Sequence, residues 1–162
     1  MRILLLMTIG VAAACAPAAE RQAEAPALPD TAVVRQAIQA HGNQWAAFDM
    51  AGDAAGLVSL HTDDASVAFY GIPTTTGTTA LQAMYQGYLA ANKVTSAQSV
   101  VQAIAAPAPG IATARGLYIA TTDSSGVVRT GWYRWAGAYR QGADGQWRVS
   151  YLMSMPDSIK VQ

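Results

Sequence analysis

The chain has a single cysteine, Cys15, which excludes an internal disulfide and any metal centre built from several cysteines. Charge is scarce as well. Only 12% of the residues are charged, and ten bases balance ten acids. With no basic patch and no run of like charge, nucleic acid is not an expected partner. No segment repeats. The apolar run at residues 3–14 is too short to span a membrane, which takes roughly 20 residues.

What the N-terminus does contain has the outline of an export signal. Arg2 supplies the positive charge, an apolar stretch follows, and small residues close it at Ala12-Ala13-Ala14-Cys15. This end resembles a bacterial lipobox, with Ala12 where a Leu is usual. The resemblance implies cleavage before Cys15 and a lipid on its thiol. The protein would then be exported, periplasmic or at the cell surface, and held to a membrane by that lipid. A plain soluble export signal cut near the same place is the other reading. Residues 1–14 are thus assigned to the signal. Residues 15–29, rich in Ala, Pro and Glu and without apolar periodicity, read as a tether. Residues 30–162 remain, enough for one domain with one core.

Within that domain Asp30 is placed to cap a helix whose stripe runs through Val34, Ile38, His41, Trp45 and Phe48. Gly52 should end it, and Asp53 can cap a second, shorter helix through Leu57, Val58 and Leu60. His61-Thr62-Asp63-Asp64 is expected to close that helix, and residues 65–70 to form a short strand. A loop follows, then a third helix over residues 79–92 with Leu81, Met84, Tyr85, Tyr88 and Leu89 on its apolar side. Strands are expected over residues 94–105 and 112–122, separated by Pro107-Ala108-Pro109-Gly110.

The most informative stretch is residues 131–155. It reads as two long antiparallel strands joined at Gln141-Gly142-Ala143-Asp144-Gly145. Pairing Arg140 with Gln146 sets Tyr139 against Trp147, Trp135 against Tyr151 and Tyr133 against Met153, all on one face. Pairing Thr122 with Val127 brings Tyr118, Gly116 and Ala114 to that face and sets Arg115 against Arg134. Trp132, Leu117, Ile119 and Leu152 then point the other way. Such an apolar patch is expected to be covered by a second copy of the chain.

This order of elements is similar to that of the NTF2-like superfamily, in particular its SnoaL-like and DUF4440 branch. The matching residues are Gly52-Asp53, Asp63-Asp64-Ala65, Gly71, Gly77, Gly116, Tyr118 and Asp144-Gly145-Gln146-Trp147. The resemblance implies an α+β cone, with three N-terminal helices packed on a curved antiparallel sheet around a pocket. It also implies a homodimer. The superfamily includes isomerases, cyclases, dehydratases and non-catalytic binding modules, so the fold alone assigns no activity. Aligned to the ketosteroid isomerases of this superfamily, the catalytic carboxylate position falls on Phe69 and the tyrosine position on Trp45. No acid lies between Val127 and Ala143, where the second acid belongs. That mechanism is therefore absent at those positions.

The other candidates are few. His41 could act as a base at the pocket floor, or be a core histidine bonded to a neighbour. His61, Asp63 and Asp64 form the one cluster with metal-ligand chemistry, but no fourth ligand is visible, so no metal is assigned. No cofactor is called for. Trp45, Tyr85, Tyr88, Tyr118, Tyr133, Trp135 and Tyr151 are the candidate walls of a site for an apolar small molecule. The expectation is a binding module without chemistry. The alternative is an isomerase, cyclase or hydratase with its own acid/base pair, for instance His41 with Tyr85 or Tyr88. A cone filled by its own aromatics would instead suit a protein that uses the fold only to assemble.

Overall fold

A computed structural model describes residues 27–161; the expected signal and Cys15 lie outside them. The first helix, α1 (Thr31–Ala51), opens where the Asp30 carboxylate accepts the Ala32 amide at 2.8 Å. It closes at Gly52, whose φ of 68° lets its N–H turn back to the Asp49 and Phe48 carbonyls. Asp53 then accepts the Gly56 amide at 2.8 Å and starts α2 (Ala54–Ser59). Gly56 is needed there, because a Cβ would run into the Phe48 ring.

The chain continues as β1 (His61–Phe69), β2 (Thr75–Thr76), α3 (Thr78–Ala91), β3 (Lys93–Ala108), β4 (Ile111–Ser124), β5 (Val127–Gln141) and β6 (Trp147–Val161). The result is an α+β fold on one six-stranded sheet, in the order β2-β1-β6-β5-β4-β3. Two expectations need correction. First, the three helices are unequal: α2 has six residues, and only α1 and α3 are long. Second, the sheet is mixed: β1 runs parallel to β6, its neighbour, so the antiparallel description covers the other pairings alone. His61 begins β1 instead of closing α2, and the Val149 amide donates to the Leu60 carbonyl at 2.9 Å at that junction.

The helices cover one face of the sheet. Val34, Ile38, Leu57, Leu81, Val67 and Val149 make up much of the core beneath them. On the α1 side, Gln39 ties the helix to β3 by donating to the Ser99 carbonyl at 2.8 Å and accepting the Val101 amide at 3.0 Å.

The β4–β5 register sets Tyr118 against Tyr133, Gly116 against Trp135 and Ala112 against Tyr139. This keeps the expected set on one face. It is offset by two residues from the expected pairing, so Arg115 meets Ala136 and no like-charge pair arises.

The β5–β6 register departs further. Tyr139 pairs with Val149, Trp135 with Ser154 and Tyr133 with Pro156. The pairing slips between Ala138 and Tyr139, and again between Trp132 and Tyr133. Each slip is a bulge, which adds one residue to β6 and reverses which residues face inward. The β6 residues along the interior are accordingly Val149, Leu152, Ser154, Pro156 and Ile159. The first step spans three residues, the next two span two, and the last spans three again. At the first bulge the Ser150 hydroxyl donates to the Ala138 carbonyl at 3.2 Å. At the second, Pro156 has no N–H to give the ladder. Tyr151 and Met153 therefore lie outside, 44% and 39% exposed, and Leu152 is buried at 7%. The expectations for all three were inverted.

Candidate functional site

Helices and sheet enclose a cavity of about 670 Å3. Trp45 reaches it from α1, Tyr85 and Tyr88 from α3, Tyr118 from β4, and Tyr133 and Trp135 from β5. Tyr151 of the expected wall does not, because the first β6 bulge turns it to the opposite face. The cavity is open at a rim where Tyr70, Ile72 and Ile159 are 78%, 46% and 53% exposed. It is not filled by its own aromatics, which weighs against a cone used only for assembly.

The residue with the greatest chemical potential is Asp49, which the sequence reading passed over. It sits in the last turn of α1, one turn beyond Trp45 on the same stripe, and is only 3% exposed. The Tyr118 hydroxyl donates to its Oδ2, while its Oδ1 has no hydrogen-bond partner among the described residues. Burial pushes the Asp49 carboxyl up from 3.8 to about 6, and the bond from Tyr118 pulls it part of the way back. The negative end of the α1 dipole lies close by and also disfavours a carboxylate there. Tyr85, Tyr88, Tyr118 and Tyr133 are all raised, first by burial and then by the Asp49 charge, so four phenols surround it with their protons held.

A second buried pair lies nearby. His61 donates from Nδ1 to the Leu57 carbonyl at 2.9 Å, which leaves Nε2 to accept the Tyr85 hydroxyl at 3.3 Å. Its ring lies 5.3 Å from that of Trp45, and burial brings its pKa down to about 4, so it is neutral at pH 7. Tyr85 is thus paired with His61, so the alternative acid/base pair of His41 with Tyr85 does not form. His41 donates from Nε2 to the Leu60 carbonyl at 3.0 Å, meets Tyr139 edge-on at 5.3 Å and also lines the cavity. Burial lowers its pKa as well, and it holds α1 to the end of α2.

The His61, Asp63 and Asp64 set does not converge. His61 is buried, while Asp64 is exposed and ion-paired with Arg140. Phe69 and Trp45 both line the cavity, and each lies against the Tyr85 ring, at 6.4 and 5.8 Å.

Helices packed on one face of a six-stranded sheet around an open-mouthed cavity make this an NTF2-like domain. The chain belongs to the SnoaL-like domain family, whose profile matches residues 29–153. No curated protein matches it at a significant level. Among solved structures it is similar to a ketosteroid isomerase-like protein from Erwinia carotovora atroseptica, at 18% identity and a TM-score of 0.69 over 76% of this chain and 96% of that one. It is also similar to the hexachlorocyclohexane dehydrochlorinase LinA-type3 from Novosphingobium barchaimii, at 15% identity and a TM-score of 0.67 over 82% and 92%. At such identities the likeness is one of fold.

Proposed function

We propose that this domain is a proton-transfer enzyme, an isomerase or lyase acting on an apolar small molecule, with Asp49 as the base. One observation carries the reading: a carboxyl poised at about 6 in the wall of an apolar cavity, anchored through Oδ2 and bare at Oδ1. In the step, a C–H bond of the ligand breaks, its proton passes to Asp49, and the electron pair stays on the ligand. The proton is then returned at another carbon, or a leaving group departs. Phe69 and Trp45, which remove the isomerase arrangement of the superfamily, leave this carboxylate in place. The test is α-hydrogen exchange of 1-tetralone in D2O. Exchange above the buffer rate, with a midpoint near pH 6 and lost in Asp49→Asn, supports the proposal. Saturable binding of 1-tetralone with exchange at the buffer rate would leave a binding module without chemistry.

Tyr118→Phe removes the bond that favours the Asp49 carboxylate. The midpoint of the exchange profile should therefore move above pH 6, with less activity at neutral pH. A midpoint that stays put or falls would separate Tyr118 from the site.

The outer face of the sheet is proposed as a homodimer contact. Tyr151, Met153 and Met155 join Trp132, Leu117 and Ile119 there, in place of Leu152. Sedimentation at micromolar concentration should give a dimer, and Met153→Lys should give a monomer; a wild-type monomer refutes the contact. Export and lipid anchoring through Cys15 are proposed from the sequence alone. Cys15→Ser should shift the protein from membranes to the soluble fraction, and equal fractionation of the two forms would count against the anchor.

A further inference from the structure

We infer that the cavity has two polar ends and takes an elongated ligand. Its body is apolar, with an oxygen acceptor at the mouth, held by Tyr88 and Tyr133, and a hydroxyl at the floor, held by His41 and Tyr139. The inference rests on the cavity being the binding site, as proposed above, but not on any reaction taking place in it.

At the mouth, Tyr88 of α3 and Tyr133 of β5 line the cavity, and neither hydroxyl has a hydrogen-bond partner among the described residues. Tyr88 is 39% exposed and Tyr133 half-buried, so both are within reach of a ligand. Tyr118, opposite Tyr133 on β4, has already committed its hydroxyl proton to Asp49. The mouth therefore offers two unused phenol donors, which suit an oxygen acceptor.

The floor is different. His41 and Tyr139 meet there edge-on, with ring centroids 5.3 Å apart. His41 donates from Nε2 to the Leu60 carbonyl, and burial disfavours the imidazolium, so Nδ1 keeps a lone pair. Tyr139 keeps its O–H. Both groups line the cavity, both lack a partner among the described residues, and neither is closed off from it. An acceptor beside a donor is the complement of a hydroxyl group. The Asp49 charge raises Tyr88 and Tyr133 in addition to burial, whereas burial alone raises Tyr139, in keeping with its place at the other end.

The strand sets the distance between the ends. Tyr133 and Tyr139 point to the same face of β5, and at the usual rise per residue their backbones lie up to about 20 Å apart. Both rings lean toward the start of the strand. A Cβ on Gly131 would come within 2.4 Å of the Tyr133 hydroxyl oxygen, and one on Gly137 within 3.2 Å of Tyr139 Cε2. Leaning the same way, the two hydroxyls stay about as far apart as their backbones. Allowing a hydrogen bond at each end, the ligand's two oxygens lie on the order of 10–14 Å apart. Between the ends the wall is apolar, with Trp135 and Leu152 on it, and a cavity of about 670 Å3 has room for such a rod.

The test compares 4,4′-dihydroxystilbene, a rod of this length with an oxygen at each end, with 4-hydroxystilbene, which has one. Titrations of the wild-type domain should show the diol binding about three- to tenfold more tightly, the range of one neutral hydrogen bond. The sign is informative, because the diol is the more polar compound and a cavity with one polar end would prefer the mono-ol. Tyr139→Phe, which keeps the ring and loses the floor donor, should narrow the gap. The double variant Tyr88→Phe, Tyr133→Phe should narrow it from the mouth. Equal binding in the wild type, a preference for the mono-ol, or no binding of either compound overturns the inference without need of any variant. A gap that is unchanged in either variant overturns it as well. The 1-tetralone exchange is a separate measurement: its absence would remove Asp49 as a base and leave the two-ended ligand standing, whereas a failed stilbene comparison would leave the exchange result untouched.

Discussion

Asp49→Asn is expected to abolish proton transfer while making the protein more stable. The loss of activity should be on the order of 10²- to 10⁴-fold, the usual contribution of a general base. The gain in stability follows from the shift of the Asp49 carboxyl from 3.8 to about 6. Between those values the folded protein holds a proton that the unfolded chain has released, so stability falls as pH rises. The proton-linked stabilisation is complete below pH 3.8 and is lost as pH passes through about 6. Above that, keeping the carboxylate buried costs about 3 kcal/mol, at 1.36 kcal/mol per pKa unit. An asparagine resembles the neutral acid and carries no such cost. The two proteins should therefore melt together near pH 4, and the variant should melt roughly 6–12 °C higher at pH 7.5. His41 and His61, both held below their ordinary values, erode the acid side of both proteins alike and cancel in the difference. Thermal melts across this range decide the matter. A variant destabilised at pH 7.5 would mean that the carboxylate is structural.

Gly116→Ala should do the reverse, destabilising the fold by about 3 kcal/mol, the upper part of the range for overpacking. The added methyl has nowhere to go. It would overlap the Val100 carbonyl on one side and the Trp135 ring on the other, and the carbonyl belongs to the sheet and cannot swing aside. Chemical denaturation should show a lower midpoint with an unchanged slope. An alanine variant as stable as the wild type would show that β3 and β4 can part at this point, and that Trp135 is not tightly seated.

These two positions mark how far the sequence could be read. The helix caps were legible because Asp30, Gly52 and Asp53 do local work that spacing alone identifies. The inward set of β4 and β5 was legible too, since a register error of two residues leaves every side chain on its proper face. The β6 face was not. An odd number of inserted residues reverses it, and nothing around Ser150 announces the first bulge, whereas Pro156 does announce the second. The parallel pairing of β1 with β6 joins segments more than 80 residues apart and has no local sign. Asp49 was missed for a different reason. An aspartate near the end of a helix reads as a solvated residue, and its burial depends on Tyr118, 69 positions away. The available signal was its place one turn beyond Trp45, on the same stripe as Val34, Ile38 and His41.

The position of β6 has a consequence for how the molecule comes into being. This strand is the last described element of the chain, yet it stands in the middle of the sheet, joining β1 and β2 to β5, β4 and β3. Until it is made, the first two strands have no edge to join, and Val149, Leu152 and Ser154 are missing from the cavity wall. A ribosome that has not yet released residue 161 therefore carries no closed cone and no site. Closure is a late event that draws both ends of the domain together at once, the kind of long-range pairing that folds slowly. During that interval α1 has β3 to lie on, but β1 lacks the strand it pairs with in parallel, and the nascent chain depends on whatever shields exposed apolar segments in its cell.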